Sequence, residues 1–236
     1  MKNLMNTLIF DIDGTLAETE ELHRKAFNEI FIKSDINWYW NPRLYRKLLK
    51  ISGGRERMLF YQTNFSDKNS LLSEKDISKL HEKKTILYTN WVKDGALTLR
   101  PGVKTMITSA LERKITLAIA TASSQVESLV SLTQSCLGLH PNEIFSFLST
   151  GNLVEKKKPA SDVYDLVLKE MSLNPEQCLA IEDSRVGLLA AKGAKIKTLV
   201  SPSLYHIKDD FTEADYLCES LKKEQLPEEL RQLLFQ

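Results

Sequence analysis

The sequence has no long apolar run, no internal repeat and no surplus of charge of either sign. None of its apolar runs approaches the ~20 residues of a membrane-spanning helix, and its first residues, MKNLMN, lack the apolar core of a signal peptide. Its 32 basic and 31 acidic residues leave a net charge of +1, which gives no bulk attraction to nucleic acid or to an anionic membrane. We therefore expect neither partner, and we expect any anionic ligand to be bound by local charge.

Cysteine is also scarce. The three cysteines, Cys136, Cys178 and Cys218, are an odd number without the spacing of a metal site, and two of them stand beside apolar strand-like runs. They are predicted to be reduced, buried thiols. A cytoplasmic location is expected, and a plastid stroma stays open for the mature chain.

Short apolar runs bounded by polar or turn residues recur along the chain. Because short, fully apolar runs are typical of strands buried on both faces, they predict a parallel sheet. The runs begin at Thr7, Thr116, Ile144, Cys178, Lys197 and Asp215. Helical patterns lie between them, so the predicted fold class is α/β, a Rossmann-like, doubly wound parallel sheet with helices on both faces.

Particular residues mark the predicted helix ends. Ser124, three residues before Glu127, has the spacing of a capping box, and Ser161 precedes the helical pattern DVYDLVLKEM. Gly193 is suited to the C-terminal end of the helix RVGLLAAKG. We predict that Ser124, Ser161 and Gly193 act as helix caps.

One region interrupts the alternation of strands and helices. From about Leu16 to Gly95 the sequence has helical patterns and no convincing buried strand. We predict a discontinuous α/β core domain of residues 1–16 and 96–236 and an all-helical insertion of residues 17–95, which would form a lid.

Polar side chains collect where the predicted strands end, which is where open parallel sheets bind ligands. These ends supply Asp11 and Asp13, Thr121 with Ala122 and Ser123, and Glu182 and Asp183, while a nearby loop supplies Lys158. Two carboxylates ~4 Å apart repel each other by roughly 4 kcal/mol at an effective dielectric of about 20. A hard divalent cation with oxygen ligands removes that repulsion, and Mg²⁺ suits the site because it also accepts water and a substrate phosphate.

Four segments at these positions carry a family resemblance. DIDGTL, IATASS, KKKP and AIEDS occur in this order and resemble the four signatures of the haloacid dehalogenase-like hydrolase superfamily. The resemblance implies that Asp11 attacks phosphorus and becomes an aspartyl phosphate, while Asp13 protonates the leaving oxygen and later activates water. It also implies that Thr121, Ala122 and Ser123 bind phosphate oxygens.

The same resemblance implies a metal and a catalytic lysine. Mg²⁺ would bind Asp11, the Asp13 carbonyl and Asp183, with Glu182 as a direct or water-mediated ligand. Lys158 would steady the nucleophile and the charge that develops on the phosphate.

The predicted helical insertion resembles that of one branch of this superfamily. It is similar to the small helical cap of the β-phosphoglucomutase-like branch, whose closure over a sugar phosphate excludes bulk water. DGTLAETEELHRKAFNEIF, NWYW, LLKISGGRERM and VSPS resemble the CbbY-type sugar-bisphosphate phosphatases along almost the whole chain. That resemblance implies hydrolysis of xylulose 1,5-bisphosphate, an inhibitor of Rubisco, to xylulose 5-phosphate.

A bisphosphate needs a second anion site, which the cap would supply. SGGRER offers the backbone amides of Gly53 and Gly54 and the side chains of Arg55 and Arg57. The family usually has lysine at the position of Arg55, so this chain keeps the charge and changes the donor geometry.

Four further cap residues are predicted to bind substrate. Glu20 and His23 are three residues apart on one helix face, from which both could reach sugar hydroxyls. Tyr45 and Lys84 match cap positions that line the substrate cavity of the family.

The motifs leave alternatives open. A mutase of the β-phosphoglucomutase type would return the phosphoryl group to a sugar, and a phosphoglycolate phosphatase shares the core and the style of cap. A noncatalytic binding protein of the same fold is the alternative of another class, although such proteins often lose a carboxylate or lysine that this chain retains. The expected partner is a small sugar phosphate, and the expected state is a monomer.

Overall fold

In a computed structural model, which describes residues 5–51, 53–66, 71–123 and 126–236, the chain divides into two compact units. The sheet unit comprises Met1–Thr19 and Leu97–Gln236, and the helical unit comprises Glu20–Ala96. No helix in the described ranges is long and apolar enough to cross a membrane.

The sheet unit is built on six parallel strands in the order β3-β2-β1-β4-β5-β6. The strands are β1 (Thr7–Phe10), β2 (Thr116–Ala120), β3 (Phe147–Ser149), β4 (Cys178–Glu182), β5 (Lys197–Val200) and β6 (Tyr216–Leu217). The predicted parallel, doubly wound sheet is confirmed.

The register of the central strands positions the segments that follow them. Phe10 of β1 lies opposite Ile119 of β2 and Ile181 of β4. Because the strands are parallel and in step, the chain leaves them at one edge of the sheet. Asp11 and Thr121 therefore start neighbouring loops.

The helical unit consists of four helices in the part of the chain that the structure describes. They are α1 (Thr19–Lys33), which begins one residue before the unit, α2 (Pro42–Leu48), α3 (Gly54–Phe65) and α4 (Glu74–Lys93). Trp40 lies in the core of this unit, and Asn28 holds its backbone: Asn28 Nδ2 donates to the Trp40 carbonyl at 3.0 Å, and the Trp40 amide donates to Asn28 Oδ1 at 2.8 Å.

In the described part of the sheet unit, six α-helices accompany the sheet. They are α5 (Val103–Glu112), α6 (Glu127–Leu137), α7 (Pro141–Ile144), α8 (Asp162–Glu170), α9 (Arg185–Gly193) and α10 (Glu228–Phe235). Leu8 and Phe10 pack into one apolar cluster with α5 and α10, whereas Ile9 packs into a second cluster with α8 and α9. Alternate residues of β1 therefore face opposite layers, as both-face burial requires.

Several local predictions are corrected. The third strand begins at Phe147 rather than at Ile144, because α7 occupies the preceding residues. Ser161 stands at the N-cap position of α8 but makes no capping hydrogen bond to the backbone, because its own backbone, with φ of −77° and ψ of −8°, is already helical. α9 ends at Gly193, but the left-handed conformation expected there belongs to Lys195, with φ of 61°.

Two other predictions concern single residues. Cys178 and Cys218 are buried free thiols as predicted, whereas Cys136 is only half-buried. The predicted cap Ser124 lies outside the described residues.

The contacts of Asn28 generate a stability prediction. We expect Asn28→Ala to lower the free energy of unfolding by about 1–3 kcal/mol, because the buried Trp40 amide loses its acceptor. Urea denaturation measures the change, with Asn90→Ala on the exposed side of α4 as the control. Equal stability of the two variants would contradict the assigned role.

Candidate active site

The Lys158 ammonium lies between two carboxylates of the sheet unit. Lys158 Nζ donates to Asp11 Oδ1 at 2.7 Å and to Glu182 Oε1 at 2.6 Å. Only 4% of the Lys158 side chain is exposed, so these charges interact with little screening by water. Asp11 follows β1 and Glu182 ends the adjacent β4, so the register of the two strands places the carboxylates on either side of the ammonium.

One carboxylate oxygen of Glu182 accepts a second hydrogen bond, whereas the other accepts none from the described residues. Tyr164, on the buried face of α8, donates its hydroxyl to Glu182 Oε1 at 2.5 Å, and its ring centre is 5.2 Å from Lys158 Nζ. Glu182 Oε2 is buried and has no hydrogen-bond partner among the described residues. It packs closely on α9, where a Cβ added to Gly187 would lie 1.8 Å from Oε2. Such an orphaned oxygen is a group that a cation would satisfy.

Burial and mutual repulsion shift the pKa values of the carboxylates. Burial raises the pKa of Asp11 from an ordinary 3.8 to about 7. The nearby Glu182 adds to this rise, and Lys158 opposes it only in part. Burial and the Asp11 charge likewise raise the pKa of Asp183 to about 7. Burial disfavours the Lys158 ammonium, but Asp11 and Glu182 outweigh it and hold the pKa of Lys158 well above its usual range. One ammonium therefore does not neutralise the site.

The acidic residues form a group that fits a metal ion. Asp11, Glu182 and Asp183 each offer a carboxylate oxygen, and these oxygens lie within 4.8 Å of one another. Oxygen donors with surplus negative charge and one orphaned lone pair suit a hard divalent cation. The Asp13 carboxylate is not in this group, so its predicted contribution is that of its backbone carbonyl.

Asp13 is oriented by two hydroxyls. Thr19 Oγ1 donates to Asp13 Oδ1 at 2.7 Å, and Ser123 Oγ donates to Asp13 Oδ2. The following Gly14 has φ of 85°, a conformation that favours glycine, and its amide donates to the Ala17 carbonyl at 2.8 Å. This tight turn takes the chain away from the sheet and leaves Asp13 at its edge.

The segment after β2 lies beside these carboxylates. Thr121 is buried, and its Oγ1 accepts from the Ser123 amide at 3.1 Å. The loop after β3 approaches so closely that a Cβ on Gly151 would lie 2.1 Å from the Ala122 carbonyl oxygen. The structure thus joins Ser123 to Asp13 directly, whereas Thr121 reaches the same loop through the Ser123 amide.

The helical unit contains a polar cluster of its own. Tyr45 OH donates to Glu20 Oε2 at 2.8 Å, and Arg57 Nη1 lies 3.7 Å from the same oxygen and donates to Tyr45 OH at 3.4 Å. Arg57 is further held by the Ile51 carbonyl at 2.9 Å. Three of the predicted substrate-binding residues therefore meet.

His23 and Lys84 extend this cluster. Lys84 Nζ and His23 Nδ1 are 3.3 Å apart, and the His23 ring stacks on Tyr88 with centroids 3.7 Å apart. Lys84 Nζ also lies 4.5 Å from the Phe27 ring centre, a cation–π distance. Burial lowers the pKa of Lys84 to about 8, against the nearby Glu20, and lowers the pKa of His23 well below its usual value.

The remaining predicted substrate-binding residues of this unit are Gly53, Gly54 and Arg55, and they differ in their surroundings. Gly53 and Gly54 begin α3, where a Cβ on Gly54 would lie 2.5 Å from His81 Nε2. Arg55 points elsewhere: its Nε donates to Ser78 Oγ at 3.0 Å and its Nη2 to Glu74 at 2.9 Å. Arg55 thus belongs to a surface ion-pair network and does not contact the Arg57 cluster.

Some residues that contact the site cannot be recognised from the sequence motifs. Tyr164 lies six residues after Lys158 on the apolar face of a helical pattern, where it reads as a core residue. Thr19 and Tyr88 likewise stand among helix-forming residues, and only the fold brings them to Asp13 and His23.

Comparison with known sequences gives consistent matches. A sequence profile described as haloacid dehalogenase-like hydrolase matches residues 8–201. The CbbY protein of Cereibacter sphaeroides is 40% identical over 218 residues, which cover 92% of this chain and 93% of that protein. A CBBY-like protein of Arabidopsis thaliana is 36% identical over 222 residues, covering 91% of this chain and 69% of that protein.

Solved structures show the same relationship. The crystal structure of CbbY from Rhodobacter sphaeroides in complex with phosphate aligns with a TM-score of 0.77 at 38% identity, covering 93% of this chain and 96% of that chain. An Asp-to-Asn variant of the same protein, solved in complex with xylulose-(1,5)-bisphosphate, aligns with the same values.

The raised pKa values generate a prediction about stability without added metal. Folded Asp11 and Asp183 keep their protons up to about pH 7, whereas the unfolded chain loses them near 3.8. Their contribution to stability is complete below the unfolded pKa and is lost as pH rises through the folded pKa. In EDTA, the free energy of unfolding should therefore fall between about pH 4 and pH 7, by a few kcal/mol.

Urea denaturation at several pH values tests this prediction. Asp183→Asn should show a clearly smaller decline, because one of the two titrating groups is gone. Asp94→Asn, which changes an exposed carboxylate, should keep the full decline. A decline of equal size in both variants would rule out Asp183 as a source of it.

Proposed function

Because the chain belongs to the haloacid dehalogenase-like hydrolase family and is a phosphatase of that family, we propose that it hydrolyses xylulose 1,5-bisphosphate to xylulose 5-phosphate and phosphate. The proposed reaction needs Mg²⁺ and passes through an aspartyl phosphate on Asp11. The observation that carries the chemistry is the buried Lys158 bridge between Asp11 and Glu182, beside Asp183.

Asp11 is the proposed nucleophile. One of its carboxylate oxygens forms a bond to phosphorus while the bond from phosphorus to the sugar oxygen breaks. Lys158, 2.7 Å from Asp11, favours the ionised carboxylate and offsets negative charge on the phosphate. Thr121, Ala122 and Ser123 are proposed to bind phosphate oxygens from the neighbouring loop.

Asp13 is the proposed acid and base. It gives its proton to the departing sugar oxygen and then takes a proton from the water that attacks phosphorus. That second attack breaks the bond between phosphorus and Asp11 and releases phosphate. Thr19 and Ser123 each hold one oxygen of Asp13, which keeps the carboxyl group oriented between the two steps.

The proposed metal is Mg²⁺. Haloacid dehalogenase-like hydrolases typically use a divalent metal, and the acidic group of this chain fits one. Asp11, Asp183 and the Asp13 carbonyl would hold the ion, with Glu182 as a direct or water-mediated ligand. When bound, Mg²⁺ supplies positive charge that the single Lys158 ammonium cannot supply against several carboxylates and a phosphate.

The helical unit is proposed to bind the rest of the substrate. Arg57 and Lys84 are cations in one half-buried cluster, and a phosphate is a suitable partner for both. Glu20 and His23 offer an acceptor and a ring nitrogen for sugar hydroxyls, and Tyr45 orients Glu20. The amides of Gly53 and Gly54, at the start of α3, would add donors for the second phosphate.

The substrate proposal draws on one relative in particular. CbbY of Rhodobacter sphaeroides, 38% identical to this chain, has been solved as a variant with xylulose bisphosphate. A two-phosphate sugar also agrees with two separate groups of residues that we propose to bind phosphate, one in each unit. A mutase or a phosphoglycolate phosphatase would use the same core chemistry, so the choice of substrate is the matter to test.

Phosphate release from a panel of substrates tests this proposal. We expect xylulose 1,5-bisphosphate to give the highest kcat/KM, above glucose 1,6-bisphosphate, sugar monophosphates and phosphoglycolate, and EDTA to abolish release. Asp11→Asn should reduce kcat at least about a thousandfold, with Asp94→Asn unchanged. Preference for phosphoglycolate, or sugar-phosphate isomer formation with little phosphate released, would select one of the alternatives.

Two neighbouring arginines provide a matched test of the second phosphate site. Arg57→Gln should raise the KM for xylulose 1,5-bisphosphate about tenfold or more, because a charge-assisted contact to the second phosphate is lost. Arg55→Gln removes the same charge from the surface network with Ser78 and Glu74, so its KM should rise by less than about threefold. Initial rates of phosphate release measure both, and equal effects would contradict the assignment of Arg57.

A further inference from the structure

The two terminal nitrogens of the Arg100 guanidinium are hydrogen-bonded, and its Nε lies in an ion pair. Its Nε lies 3.2 Å from Glu18 Oε1, and its Nη1 donates to the carbonyls of Gly14 and, at 2.9 Å, Ser201. Its Nη2 donates to the Pro202 carbonyl at 2.8 Å and to Ser201 Oγ at 3.4 Å. Four of the five donors of this arginine side chain are thus hydrogen-bonded, and only 10% of the side chain is exposed.

Arg100 joins two chain segments that adjoin Asp13 and Asp183 of the site. Gly14 directly follows Asp13, and a Cβ on Gly14 would lie 2.1 Å from Asp183 Oδ2, so this turn rests against Asp183. On the other side, Ser201 and Pro202 lead to Ser203, whose amide donates to the Asp183 carbonyl at 3.4 Å. Both of these contacts of Asp183 therefore come from segments joined to one guanidinium.

We infer that Arg100 is a positioning residue, which fixes the Asp13–Gly14 turn against the loop after β5 and so sets the placement of Asp13 and Asp183. Arg100 acts through those two residues, and the inference rests on the proposed function only in its kinetic consequences. Within the described ranges, Arg100 makes no hydrogen bond or ion pair with the acidic group or with the residues proposed to bind phosphate.

The shape of the guanidinium, rather than its charge, is what this role requires. The acceptors are mostly backbone carbonyls of two separate segments, and a planar fork with five donors reaches them together. A lysine would keep the charge near Asp183, but its three donors diverge from one nitrogen and cannot reproduce the set. Arg100→Lys therefore separates positioning from simple charge compensation.

The experiment compares Arg100→Lys with Arg231→Lys, which changes an arginine in a surface ion pair with Glu228 on α10. Each full-length variant is tested for phosphate release from xylulose 1,5-bisphosphate and for direct Mn²⁺ binding, followed by electron paramagnetic resonance without substrate. We expect Arg100→Lys to lower kcat about ten- to hundredfold and to weaken Mn²⁺ binding about tenfold, with KM for the sugar changed less than about threefold. Arg231→Lys should match the unmodified protein.

Glu18→Ala keeps the experiment decisive if Arg100→Lys does not fold, as judged by circular dichroism and thermal unfolding. It removes one partner of the guanidinium and should lower kcat and Mn²⁺ affinity by about threefold. Unchanged kcat and Mn²⁺ affinity in the folded Arg100→Lys, or in Glu18→Ala where only that variant folds, would overturn the inference. Losses of the same size in Arg231→Lys would also overturn it.

Failure of the proposed function gives a different pattern. An unmodified chain that binds Mn²⁺ but releases no phosphate from any sugar phosphate would refute the proposed function, and the Mn²⁺ affinities alone would then decide the role of Arg100. An unmodified chain that binds no Mn²⁺ would overturn both.

Discussion

The Lys158 ammonium, shared between Asp11 and Glu182, is the interaction on which the site depends. Buried charges are costly unless they are paired and hydrogen-bonded, and here one cation at 2.6–2.7 Å from two carboxylates makes their burial tolerable. Asp183 takes no part in this bridge, and its pKa is raised. The resulting shortage of positive charge makes the site suited to a divalent ion and to a phosphate substrate.

The parallel sheet is what brings these charges together. Asp11 and Glu182 are far apart in sequence, and they become neighbours because β1 and β4 pair in step. A slip of one residue in that register would turn alternate side chains to the opposite face of the sheet and separate the two carboxylates. The apolar clusters on both faces hold this register, so they keep the two carboxylates together as well as stabilising the fold.

The sequence predicts the parts of the site that are local to a strand end and not those that depend on packing between segments. DIDGT after an apolar run places Asp11 and Asp13 on a strand end without any structure, as AIEDS places Glu182 and Asp183. Tyr164 reads as one more apolar position of a helix, because only the packing of α8 on the sheet turns its hydroxyl to Glu182. Ser161 takes the N-cap position of α8 without the capping hydrogen bond, because its own backbone there is helical and not extended.

The two units differ in the sign of the charge that they leave uncompensated. In the sheet unit, carboxylates outnumber the one buried ammonium. In the helical unit, Arg57 is paired with Glu20, but among the described residues no carboxylate lies within ion-pair distance of Lys84, which has His23 and an aromatic face instead. A buried ammonium without a carboxylate is costly, and its lowered pKa records that cost. A phosphate bound there would favour the charged form, so this imbalance would favour an anionic substrate over a neutral sugar.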